Sequence, residues 1–310
     1  MQKSKFKIKF FLLITFFLTF PLLVSAAILY LEPSSGEYHQ DDTFIVKMRI
    51  DTEGECINTV KANLSFSQNV LKAVEFSTGN SILTLWLQSP EINQNEGKIS
   101  FVGGVPGGFC GALPGEPGKP NLLGKIIFKV KETTEKKEAI LKFLEESQVL
   151  LNDGFGTPAK LSFRNANFEI LPGKSKIQLK EWKEELEKDN VPPEPFEIKF
   201  IKDSMIFGGK WFIVFFTVDK QSGIDHYEVK EGKGDWKIAK SPYLLEDQDL
   251  KSIIKVKAVD KAGNERIVEW VPKKEMFSWW TIVIILIIFM IIVVIWKLKK
   301  KVMTPKKNKT

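Results

Sequence analysis

The chain is poor in residues that do chemistry. Among 310 residues there are two histidines, His39 and His226, and two cysteines, Cys56 and Cys110. The histidines fall in different predicted domains, and neither cysteine has a histidine near it in sequence. No G-x-S-x-G, H-E-x-x-H or C-x-x-C motif occurs, and no G-x-x-x-x-G-K-[ST] phosphate loop. Asp41–Asp42 reads as a solvated turn and Glu145–Glu146 as an exposed strand junction; carboxylates are too common for either to indicate a glycosidase. The expectation is a protein that is not an enzyme, with no cofactor and no metal of its own.

Acid is missing from both ends. Lys3, Lys5, Lys7 and Lys9 precede the apolar run Phe10 to Val24 and the small residues Ser25 to Ala27. A basic start, a short apolar run and a small-residue cleavage site predict a signal peptide over 1–26, the alternative being an uncleaved anchor. Phe277 to Trp296 is twenty residues without a charge, enough to cross a hydrocarbon core of roughly 30 Å. Tryptophans stand at its edges, and Lys297, Lys299, Lys300, Lys301, Lys306, Lys307 and Lys309 follow it. The lysine bias predicts a single-pass cell-membrane protein, its N-terminal domains extracellular and its tail, 297–310, cytoplasmic. Of the 45 basic residues, eleven lie in these terminal segments, and the other 34 face 38 acidic ones. The net charge of +7 is therefore a property of the ends, and nucleic acid is not an expected partner.

Between the ends the hydrophobic period is two. Phe44, Val46, Met48 and Ile50 alternate with Lys47 and Arg49; Val60, Ala62, Leu64 and Phe66 alternate with Thr59, Lys61, Asn63 and Ser65. Ile126, Phe128 and Val130 alternate with Lys125 and Lys129. Such strands belong to antiparallel sheets with one covered face. Further short strands are expected near 28–33, 70–76, 82–88, 98–103, 139–144, 147–151 and 165–171, which together predict an all-β sandwich over 28–171. A charged seam, 172–195, follows. Leu179, Trp182 and Leu186 fall there at helical spacing, so it is either a short amphipathic helix or a solvated linker. Over 196–272 the runs KWFIVFFTVD, HYEVKEG, SIIKVKAVD and ERIVEWV predict a smaller sandwich, with Ile254, Val256 and Ala258 facing in and Trp211 and Trp236 in core or edge packing.

The stretch FVGGVPGGFCGALPGEPGKP, Phe101 to Pro120, holds seven glycines and four prolines. No helix pattern follows it. It carries Cys110, whose one possible partner is Cys56, and in an exported chain the two predict a disulfide. The stretch then reads as a rim loop pinned to a β-sandwich, and 103–120, including Phe109, becomes a candidate ligand contact. Trp86, in SILTLWLQSP, is a second candidate: it is exposed if Leu83, Leu85 and Leu87 face the core.

The order of these segments resembles a cohesin domain. LYLEPSSGEYHQDDTFIVKMRIDT, INTVKANLSFSQNVLKAVEF, GKISFVGGVPGG, LLGKIIFKVKE and SQVLLNDGFGTPAKL follow one another with the family's spacing over most of Ile28 to Leu171. The resemblance implies a nine-stranded jelly roll that binds dockerins, calcium-loaded helical modules of partner proteins, through one exposed sheet face. It is also close to certain carbohydrate-binding modules, so a surface polysaccharide is the other implied partner and a carbohydrate-binding adhesin the alternative function. No dockerin-contacting residue is carried over, and LNDGFG lacks the run a calcium loop needs. TVDKQSGIDHYEV, SPYLL and VKAVDKAGNERIVEW resemble bacterial immunoglobulin-like or fibronectin type III-like repeats, with DKAGN as the hairpin turn. The expectation is an N-terminal cohesin-like jelly-roll sandwich, a smaller immunoglobulin-like sandwich and one C-terminal transmembrane helix, acting as a non-catalytic surface scaffold. Any calcium would belong to the dockerin.

Overall fold

The computed structural model describes residues 26–111, 121–176, 179–272 and 279–302. The expected signal segment, the tip 112–120 of the glycine-rich stretch and most of the basic tail lie outside the described residues.

The first unit is a two-sheet sandwich of β1 (Ala27–Glu32), β2 (Ser35–Gln40), β3 (Thr43–Asp51), β4 (Ile57–Phe66), β5 (Leu71–Ser77), β6 (Leu85–Asn93), β7 (Lys98–Phe109), β8 (Asn121–Val130), β9 (Lys137–Phe143), β10 (Gln148–Leu151), β11 (Leu161–Arg164) and β12 (Ala166–Lys174). One sheet runs β11-β1-β3-β8-β5. The other runs β2-β12-β9-β4-β7-β6, with β10 also paired to β4. The alternation read from sequence fills the space between them. Phe44, Val46, Met48 and Ile50 of β3 meet Val60, Ala62, Leu64 and Phe66 of β4 in one core. Each fully buried phenylalanine there, such as Phe101, Phe128 or Phe168, contributes about 2–3 kcal/mol of burial. Tyr38 stacks on Phe44 with ring centroids 3.7 Å apart. Burial, then the charges of Glu181 and Asp42, push its hydroxyl up to about 12.

Twelve strands stand where the family pattern implies nine. The strands that sequence patterning misses, β2 and β11, are short edge strands paired parallel to β12 and β1. In β2 Tyr38 is the one buried residue, so no alternation marks it. The strand expected from Ile82 begins at Leu85, and Ile82 and Leu83 are both buried in the approach to it.

The second unit has two smaller sheets. One is β13 (Lys199–Lys202), β14 (Trp211–Val214) and β17 (Tyr243–Leu244); the other has the order β16-β15-β18-β19, from β15 (Ile224–Glu231), β16 (Lys237–Ala239), β18 (Ile254–Asp260) and β19 (Glu265–Trp270). Ile213, Phe215, Val229, Leu245, Ile254 and Val256 form their shared core. Ile254, Val256 and Ala258 face in as expected. The long strand expected over KWFIVFFTVD ends at Val214, because the following backbone is held by side chains instead of a ladder. The Phe215 N–H donates to Ser241 Oγ at 3.1 Å, and the Thr217 N–H donates to the Tyr227 hydroxyl at 3.0 Å. Trp211 packs against the core, and Trp236 lies under Lys257 Nζ, 4.8 Å from the ring centroid.

Among the described residues, two α-helices complete the structure. The seam folds as α1 (Glu181–Lys188), which settles its open alternative in favour of a helix. The second, α2 (Trp279–Val302), is 24 residues, about 36 Å at 1.5 Å per residue. Among the described residues it is the helix long and apolar enough to cross a membrane.

Candidate functional site

The two outer faces of the first sandwich have opposite fates. On the five-stranded sheet, β8 is buried at every position from Leu122 to Phe128, which a strand with one solvated face does not show. The cover is α1. Trp182, 6% exposed, packs on Ile45 of β3 and Ile127 of β8, with Leu186 beside it. Its indole N–H donates to Glu75 Oε2 of β5 at 3.0 Å. The Ile45 N–H donates to Glu181 Oε2 at 3.0 Å, and Lys125 Nζ reaches Glu185 Oε2 at 2.5 Å. Lys261 of the second unit pairs with Glu75.

Asp42 belongs to the same cover. It is buried, so the solvated turn expected there is corrected for this residue. Its carboxylate accepts the N–H of His39 at 2.8 Å and of Leu179 at 3.1 Å, stapling the β2–β3 turn to the segment that enters α1. Asp41 is held below the usual carboxylate range by Lys174 and Lys129. Glu145 and Glu146 are exposed, as expected.

On the seven-stranded sheet nothing lies over β9, β4, β7 and β6 among the described residues. Lys61, Asn63 and Ser65 of β4, Ser100 and Val102 of β7, Gln88 and Glu91 of β6 and Ile140 and Lys142 of β9 point outward. The registers Asn63↔Ser100, Gln88↔Val102 and Ser65↔Lys142 place them side by side. Leu87, 66% exposed, and Leu85 add apolar surface at the β6 edge. A shallow depression lined by Asn63, Glu91, Asn93, Lys98 and Ser100 lies at the β6–β7 hairpin end of the face. The face is flat, mixed and without an exposed aromatic among the described residues; the exposed aromatic of this sandwich is Phe155, in the loop after β10.

Cys56 and Cys110 form the expected disulfide, which ties the start of β4 to the end of β7. The rim around it is further closed by the Asn152 N–H donating to the Cys56 carbonyl at 2.8 Å and by Asn152 Nδ2 donating to the Gly107 carbonyl at 3.1 Å. Gly108, at φ +84°, comes so near Asn152 that a Cβ would lie 2.2 Å from its side-chain nitrogen. Phe109 is 2% exposed and packs in the core, where the register with Ile57 turns its side chain inward. Trp86 is half-buried, T-shaped against Phe76 and Phe101, and Leu85 and Leu87 are exposed.

No family model matches the chain, and no curated protein sequence does. Solved structures do. A chain of a type I cohesin–dockerin complex from Clostridium thermocellum is 14% identical, over 48% of this chain and 96% of that chain, with a TM-score of 0.39. The seventh type I cohesin of scaffoldin B from Pseudobacteroides cellulosolvens is 16% identical, over 50% and 98%, with a TM-score of 0.39. A non-cellulosomal cohesin from the archaeon Archaeoglobus fulgidus is 17% identical, over 47% and 92%, with a TM-score of 0.37. These similar structures are cohesin domains.

The outward residues of β4 were readable from alternation alone. The cover on the opposite face was not read, though a signal for it exists: Ile45 and Ile127 are apolar where their strands otherwise present Lys47, Arg49, Lys125 and Lys129.

Proposed function

We propose that the chain is a non-catalytic surface receptor that holds a dockerin-type protein module on the open face of β9, β4, β7 and β6. The second unit, an immunoglobulin-like spacer, and α2, a single membrane span, keep that face outside the cell. The observation that carries the reading is the contrast between the faces: one is partly covered by α1 and the second unit, the other is open and chemically mixed. A protein module needs such a surface. A glycan platform stacks sugars on exposed aromatics, and Trp86, the candidate for that role, is half-buried and packs T-shaped against Phe101 of the core. The cohesin resemblance of the sequence supplies the partner class.

The test is calorimetric titration of the full chain, in detergent micelles, with a panel of calcium-loaded dockerin modules. Binding by at least one module is expected, weakened at least about tenfold by Leu87→Asp or Lys61→Glu and unchanged by Lys47→Glu on the other sheet. Absence of binding across the panel would defeat the partner class. Equal loss in all three variants would defeat the face.

A further inference from the structure

Three aspartates from three segments meet where the two units join. Asp189 follows α1, Asp219 opens the loop into β15, and Asp260 ends β18. They are 6%, 4% and 2% exposed, and one carboxylate oxygen from each lies within 4.8 Å of the other two. The cations nearest in sequence are engaged elsewhere: Lys220 with Glu194 at 2.9 Å, Lys261 with Glu75, and Arg266 with the Pro193 carbonyl. Backbone amides fix the three carboxylates in place. Val191 and Ser222 donate to Asp189 at 3.1 and 3.0 Å, Gln221 and Gly223 to Asp219 at 3.0 and 2.8 Å, and Ala262 and Asn264 to Asp260 at 2.9 and 2.8 Å. Three desolvated like charges repel, and burying them without a cation is costly.

Ser222 is an independent sign of a ligand. Its own N–H is on Asp189, and the N–H groups on either side of it are on Asp219. The residue is 1% exposed, and its hydroxyl oxygen is buried with no hydrogen-bond partner. The serine is thus anchored by its backbone in the loop that holds two of the three carboxylates, and its unpartnered hydroxyl belongs to that loop. A buried hydroxyl with unused lone pairs beside three carboxylates completes a donor set made only of hard oxygen atoms.

We propose that Asp189, Asp219 and Asp260, with Ser222, bind a calcium ion at the junction of the two units. Separations of up to 4.8 Å suit ligands around one ion at the calcium–oxygen distance of about 2.4 Å. The set holds no nitrogen or sulfur to favour zinc. Its donors come from a loop and from the ends of a helix and a strand, which suit the adaptable calcium shell better than the strict octahedron of magnesium. The same loop carries the contact with the first sandwich. Ser77 Oγ donates to the Ser222 carbonyl at 2.6 Å, and a Cβ on Gly79 would lie 2.1 Å from the Gln221 carbonyl oxygen. An ion here therefore stiffens the stalk beneath the open face. The site is independent of what that face binds.

The experiment is equilibrium dialysis of the full chain in detergent micelles against radioactive calcium, with no partner present, alongside thermal unfolding in calcium and in chelator. One calcium per chain is expected, not displaced by equimolar magnesium, with a melting temperature that falls in chelator. Asp219→Asn and Asp260→Asn should each weaken uptake at least about tenfold. Ser222→Ala should weaken it severalfold and leave the melting temperature in chelator unchanged. Should the asparagine variants fail to fold, the wild-type stoichiometry and Ser222→Ala decide. No uptake at millimolar free calcium, or uptake unchanged in every folded variant, overturns the proposal.

Discussion

The two outer faces of the first sandwich start from similar sequences and end differently. Each presents lysines at alternate positions, Lys61 and Lys142 on one and Lys47, Lys125 and Lys129 on the other. On the five-stranded side two isoleucines, Ile45 and Ile127, interrupt the polar set, and Trp182 of α1 covers them. Lys125 is thereby buried and needs Glu185. On the seven-stranded side no such helix comes down, and the lysines remain in solvent. Val102 and Ile140 are outward apolar residues of the open face too, so what separates the faces is the tryptophan-bearing helix that packs on one of them.

The comparison can be broken most severely at Trp182. Trp182→Ala removes the indole from Ile45 and Ile127 and the N–H from Glu75. A loss of about 3–5 kcal/mol in unfolding free energy is expected in denaturant titration, with partner binding on the open face unchanged. A parallel loss of binding would show that the faces are coupled. The disulfide is the open side's counterpart. Cys56→Ser with Cys110→Ser opens a crosslink between residues 54 apart and should cost about 2–4 kcal/mol, read from the same titration.

Leu87→Asp sharpens the contrast from the other direction. It should weaken partner binding by at least about 1.4 kcal/mol and leave stability within about 0.5 kcal/mol, because Leu87 is exposed and has little packing to lose. The smallest effect belongs to Glu228, far from both faces. Its pairing with Lys257 at 2.5 Å lowers its pKa, with His226 contributing less. A depressed carboxyl stabilises the fold above its unfolded pKa, and that stability is lost as pH falls through the folded value. Melting curves should therefore show a loss below about pH 4.5 that Glu228→Gln makes shallower.

Much of this was legible in the sequence. Period-two alternation in TFIVKMRID and NTVKANLSF gives both halves of the first core, and the two cysteines give their pairing. The helical spacing of Leu179, Trp182 and Leu186 gives α1 as one of two alternatives. What escaped depends on contacts between distant segments. Asp42 looks like any turn aspartate until Leu179, 137 positions on, donates to it. Asp189, Asp219 and Asp260 lie in three separate turns, and folding alone brings them together. Trp86 could not be assigned because Ile82 and Leu83 are consecutive buried residues and break the alternation before β6 begins.

The most direct test of the account is hydroxyl-radical footprinting of the full chain with and without a bound dockerin-type module. The account predicts protection at Leu85, Leu87, Lys142 and Ile140 on the open face, with Tyr30, Lys47 and Phe155 unchanged. Protection on the five-stranded side or at the Phe155 rim, with β6 and β9 still reactive, would contradict it.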